Sequence, residues 1–129
     1  MGDDAVQPVK DEEREGPVAQ VWRPTLAAVV DSLVQREGVL ARGLRAVEPV
    51  SPVRTRSCLD AVDAYGGVTL VPLPDEAWNT SVAIWRGDHW NCLVNLWTAE
   101  EGRSDLALDA DIFERGGSYR YRVNLVHVP

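Results

Sequence analysis

The residues best suited to chemistry in this sequence gather between Trp97 and Asp105, in the stretch "WTAEEGRSD". Glu100, Glu101 and Asp105 bring three carboxylates, Arg103 a guanidinium and Ser104 a hydroxyl, all behind an aromatic ring at Trp97. Acids beside an aromatic side chain suit recognition of a basic partner, because rim charges steer the encounter and a tryptophan anchors it. Turn chemistry suits the same residues. Ser and Asp tie loops through side chain–backbone hydrogen bonds, and glutamates on a turn can simply be solvated.

Other chemistry has less to work with. His89 and His127 are the only histidines, and no CxxC, HxxxH or HExxH spacing occurs, so no metal site is expected. There is no GxSxG, and no glycine-rich phosphate loop of the GxGxxG or GxxxxGK[ST] kind. Cys58 and Cys92 have no base nearby in sequence, and Cys92 alternates with Trp90 and Val94 on an apolar face, where a thiol stays protonated. Acid–base catalysis would call on Asp105, Asp109, Tyr121 and His127. A two-residue turn at Gly116-Gly117 puts the two aspartates on the face opposite Tyr121 and His127, so they do not converge. Neither a catalytic set nor a cofactor is expected.

The elements that must position these residues follow from periodicity. Leu26, Val29, Val30, Leu33 and Val34 recur at helical spacing, with Pro24 or Thr25 as a start and Gly38 as a stop. "VLARGLRAV" reads as a short second helix, "EPVSPVRTRS" as a loop, and "SCLDAVDAYGG" as a helix capped by Ser57. After Gly67 the period falls to two. "VTLV" is a short strand. "SVAIWRGDHWNCLVNLW" is a hairpin turning at Gly87-Asp88, with Trp85 opposite Trp90 and Ala83 opposite Cys92.

A last hairpin turns at Gly116-Gly117, a pair suited to a type I′ turn. It sets Ile112 opposite Tyr121, Ala110 opposite Val123 and Leu108 opposite Leu125 on the apolar face. Asp111 then meets Arg122, Phe113 meets Arg120 and Asp109 meets Asn124 on the wet face. The pairing sorts apolar with apolar and acid with base, which a slip of one residue would destroy.

The chain has 129 residues, enough for one domain, and 45% of them are apolar. A net charge of -7 argues against a nucleic-acid partner and favours a basic protein surface. Residues 1–20 hold six acids, two bases and two prolines, and read as a disordered acidic tail ahead of a single domain over 21–129. The start lacks a basic, then apolar, leader and no apolar run is long enough to span a bilayer, so the expected location is cytoplasmic.

"LWTAEEGRSDLALDADI" and "VNLVHVP", together with "DAYGG" and "LPDEAW", resemble a small uncharacterised bacterial domain-of-unknown-function family. Its signature is a tryptophan-led EEGxSDLxL segment with a closing HV. The resemblance covers roughly residues 55–129 and implies no chemistry. The helix-then-sheet order also resembles nuclear-transport-factor-2-like cone folds, which host isomerases, dehydratases, ligand binders and immunity proteins. The expected architecture is therefore α+β, with N-terminal helices on a curved antiparallel sheet of four to five strands. The expected function is a small protein-binding domain, an immunity-type inhibitor of a basic partner being one form, with Trp97, Glu100, Glu101, Arg103, Ser104 and Asp105 as the contact surface. The alternative is a small-molecule binder or an acid–base enzyme on a cone-type scaffold.

Overall fold

The computed structural model describes residues 5–129. Two α-helices, α1 (Arg23–Val34) and α2 (Pro52–Ala64), pack on one antiparallel sheet. The strands are β1 (Gly16–Pro17), β2 (Leu70–Val71), β3 (Val82–Trp85), β4 (Trp90–Thr98), β5 (Gly102–Arg115) and β6 (Ser118–His127). Their order is β1-β3-β4-β5-β6, and β2 joins the far end of the β4 edge that β3 also uses. The class is α+β, as expected. Six strands replace four or five because the two-residue β1 is too short to show a period.

Helix α1 carries the stripe read from the sequence, burying Leu26, Val29, Val30 and Leu33. Its stop is not Gly38. Arg36 takes the left-handed conformation (φ 53), and the amides of Arg36 and Glu37 donate to the carbonyls of Leu33 and Ser32. This is a Schellman closure, normally a glycine's position. An arginine occupies it here with its guanidinium bidentate to Asp63 of α2 at 3.0 Å.

Helix α2 is capped six residues before the expected Ser57. Ser51 accepts a hydrogen bond from the Arg54 amide at 3.0 Å, and Pro52 sits in the first turn. Serine as cap and proline just inside are the favoured start, so Pro52, one of the two prolines that suggested a loop, marks a helix N-terminus. No helix forms over 39–47, which runs as turns and packs Leu40, Ala41 and Val47 into the core.

The first strand pairing matches the sequence reading: Trp85 faces Trp90 and Ala83 faces Cys92. Cys58 and Cys92 are both buried and unbonded, and burial pushes both thiols above their ordinary pKa. The last hairpin also keeps its near-turn register, with Ile112 on Tyr121, Asp111 on Arg122 and Phe113 on Arg120. Gly116 and Gly117 have φ of 55° and 87°, as a type I′ turn requires. Gly117→Val forces a β-branched residue into that region and is expected to cost about 1–3 kcal/mol. Urea denaturation of the variant measures it, and an unchanged midpoint would refute the turn type.

Farther from the turn the register departs from expectation. Asp109 pairs with Leu125 and Ala110 with Val123, so Asn124 is an extra residue on β6. Such a bulge flips the alternation beyond it. Leu125 becomes 40% exposed, Val126 takes its place in the core, and His127 moves to the face of Asp109. Arg54 of α2 braces the bulge by donating to the Asn124 carbonyl at 2.6 Å.

The largest departure lies at the N-terminus. Residues 1–4 of the expected acidic tail lie outside the described residues. Residues 5–20, read as disordered, lie instead against the sheet. Gly16 and Pro17 pair with Ala83 and Val82, Val18 and Ala19 are fully buried, and the Trp90 indole donates to the Val9 carbonyl at 2.9 Å. Composition misleads here because main-chain groups do much of the holding, and every residue type supplies those.

Candidate functional site

Three places collect polar or aromatic side chains: the β4–β5 turn, the outer face of the sheet, and the edge covered by the N-terminal segment. The turn holds the residues expected to contact a partner. Glu100 accepts a hydrogen bond from the Thr69 amide at 2.8 Å, which holds its carboxyl below the ordinary pKa. Glu101 accepts from the Tyr65 hydroxyl at 2.9 Å, and that hydroxyl accepts from the Asp105 amide at 3.0 Å. The Asp105 amide favours the phenolate, but the Glu101 carboxylate and partial burial outweigh it and Tyr65 is raised.

Ser104 is buried. It donates to the Leu96 carbonyl at 2.7 Å and accepts from the Leu106 amide at 3.1 Å. Between the pairs Asn95–Ala107 and Trp97–Arg103 the ladder has three residues of β5 against one of β4, and the serine hydroxyl spans the break. Trp97 is half-buried and packs on Gly102, where an added Cβ would stand 3.5 Å from its ring. Its indole nitrogen is buried without a partner. Arg103 is exposed. Glu100, Glu101 and Asp105 thus fasten the turn to the segment that follows α2, and Ser104 ties β4 to β5. Side chain–backbone tying extends to Glu100, and Glu101 is tied to a tyrosine side chain, although both glutamates remain exposed.

The outer face carries a polar cluster, to which the bulge brings His127. Asn91 donates to Asp109 at 2.7 Å and to Asp111 at 3.0 Å, Asn124 donates to Asp109 at 3.0 Å, and Arg122 donates to Asp111 at 2.7 Å. Burial raises the Asp111 pKa, but the hydrogen bonds from Asn91 and Arg122 outweigh it and leave the group below its ordinary value. His127 Nε2 stands 3.7 Å from Asp109, too long for a hydrogen bond, and is buried without a partner. The Asp109–His127 approach corrects the expectation that these two face opposite ways. Tyr121 stays on the core side and Asp105 sits at the turn, so the four acid–base candidates do not converge. Among the described residues no group of three or more His, Cys, Asp or Glu side chains is placed to hold a metal ion.

The third place was not singled out from the sequence. Residues 6–17 form a strap across the β3 edge, enclosing a cleft of about 390 Å³ floored by Trp22, Trp90 and Ala83. The strap is held through its backbone at Val6, whose carbonyl accepts from the Gln20 amide, at Val9, and at Gly16-Pro17. Lys10 is the only lysine in the chain. Its ammonium lies over the Trp85 and Trp90 rings and 3.2 Å from Glu114. Trp85 opposite Trp90 was legible in the hairpin pattern. The lysine that crosses them was not, because nothing local links position 10 to positions 85 and 90.

No helix of the described residues is long and apolar enough to cross a membrane. Comparison with curated proteins and with solved structures returns no match. Residues 30–129 match the family model described as Domain of unknown function (DUF7668), and the chain belongs to that family.

Proposed function

We propose that this chain is a protein-binding domain that takes an extended, lysine-bearing segment of a partner along its β3 edge. The observation that carries this reading is that the chain's own residues 6–17 already lie there as a ligand would. They add a short antiparallel strand at Gly16-Pro17, give a main-chain carbonyl to the Trp90 indole, and lay one lysine on two tryptophans. Strand addition with side-chain pockets beside the edge is a general mode of peptide recognition. The net charge of -7 favours a basic partner. The turn at Glu100 and Glu101 is a poorer surface, because its carboxylates already serve the fold.

Beyond the main-chain bonds of the strap, the Lys10 side chain adds little to its hold. An exposed cation–π contact contributes about 0.5–1 kcal/mol and a half-exposed ion pair about 0–1 kcal/mol. A partner segment has to displace the strap, whose closed population reduces the partner's apparent affinity. A fluorescently labelled peptide of residues 5–18 provides the test. It is expected to bind the full chain, and to bind the Lys10→Ala chain about three- to tenfold tighter, because that variant loosens the competing strap. The same peptide carrying Lys10→Glu should bind several-fold more weakly. Equal affinities of the two peptides, measured by fluorescence anisotropy, would overturn the reading.

A further inference from the structure

We propose that Trp85, Trp90 and Glu114 form a cage for a methylated lysine side chain of the partner, a site that Lys10 fills in the partner's absence. The proposal rests on the peptide-groove reading above and names the chemistry of its central contact. The Lys10 nitrogen is 5.0 Å from the centroid of the Trp85 ring and 5.8 Å from that of Trp90. The two rings have centroids 4.6 Å apart and planes inclined at 57°. They therefore turn electron-rich faces toward one point from two directions, and the Glu114 carboxylate stands on a further side at 3.2 Å. A cation over such faces is attracted by the ring quadrupoles, and quaternary ammonium groups are bound this way.

The spacing to the Trp85 ring leaves room for a methyl group, while the 3.2 Å contact with Glu114 would lengthen from an ion-paired hydrogen bond to a charge contact. An N–C bond is about 1.5 Å long. A methyl group pointed from the Lys10 position at the Trp85 ring would stand about 3.5 Å from its centroid, which is carbon–carbon contact distance. A bare ammonium leaves that gap open. Methyl groups fill it, spread the charge and reduce the hydration lost on docking. The Lys10 and Glu114 side chains are about half exposed, so the occupant can be exchanged once the strap lifts, with the core left in place. The other 12 basic residues are all arginines, so no second lysine of this chain can take the position.

The test uses the full chain with Lys10→Ala as receptor and three labelled peptides of residues 5–18. In these, the lysine is unmodified, trimethylated, or replaced by its uncharged tert-butyl isostere. At equal ionic strength the trimethylated peptide is expected to bind about three- to tenfold tighter than either of the others. Trp85→Leu in the receptor should erase the preference and Glu114→Gln should narrow the margin over the uncharged isostere, with circular dichroism confirming that both variants fold. The cage is overturned if the trimethylated peptide binds no tighter than the unmodified one, or if the isostere matches it. If the unmodified peptide nonetheless binds and still outcompetes its Lys10→Glu form, the groove reading stands while the cage falls. If no peptide binds, both fall.

Discussion

Replacing Trp22 with alanine lowers the stability of the folded chain by about 3–5 kcal/mol, the range for deleting a large buried aromatic side chain. Trp22 is 1% exposed and precedes α1 in a single 3₁₀ turn. Its ring lies 4.8 Å from that of Trp90 and meets Tyr119 edge-on at 5.8 Å, so it joins the N-terminal segment to two strands of the sheet. Removing it leaves a cavity beside the strap's cleft and withdraws the floor on which the strap lies. Trp22 and Leu26 both precede the family-matched span, which begins at Val30, yet both belong to the core. Trp22→Phe keeps an aromatic ring and removes an indole nitrogen that has no acceptor, so its loss should be clearly smaller. Guanidinium denaturation followed by far-ultraviolet circular dichroism measures both. A Trp22→Ala chain within 1 kcal/mol of wild type would show that Trp22 does not hold the core together.

Ser104→Ala is expected to cost about 2–4 kcal/mol, far more than an ordinary serine-to-alanine change. The hydroxyl answers two main-chain groups at a break in the β4–β5 ladder, the carbonyl of Leu96 and the amide of Leu106. Alanine leaves both in a buried position without a partner, and each unsatisfied group costs about 1–3 kcal/mol, less whatever local relaxation recovers. Ser104→Thr retains the hydroxyl and should lose much less. Hydrogen exchange gives a local readout: the Leu106 amide should lose protection in the alanine variant and keep it in the threonine variant. Equal stability of Ser104→Ala and wild type would mean that water replaces the hydroxyl. The result also separates two roles of the β4–β5 turn, since a residue serving only as a partner contact would leave stability unmoved.

Local pattern carried much of this fold. The stripe from Leu26 to Leu33, the tryptophan pair across the first hairpin, and the acid–base sorting of Asp111 with Arg122 were legible because they follow from periods of 3.6 and 2 and from turn chemistry between neighbouring residues. The start of α2 was legible in principle through Ser51-Pro52, though two prolines concealed it. Tertiary structure alone decided the rest. Asn124 reads as an ordinary strand residue, yet its bulge, braced by a guanidinium 70 residues earlier, reverses which face Leu125 and His127 occupy. The acids at 100 and 101 read as a free surface until Thr69 and Tyr65 were brought to them. The strap reads as tail until the Trp90 indole takes the Val9 carbonyl. In each case the deciding bond joins segments distant in sequence, mostly through main-chain groups. Every residue type carries those groups, so composition and spacing hold no record of which will pair.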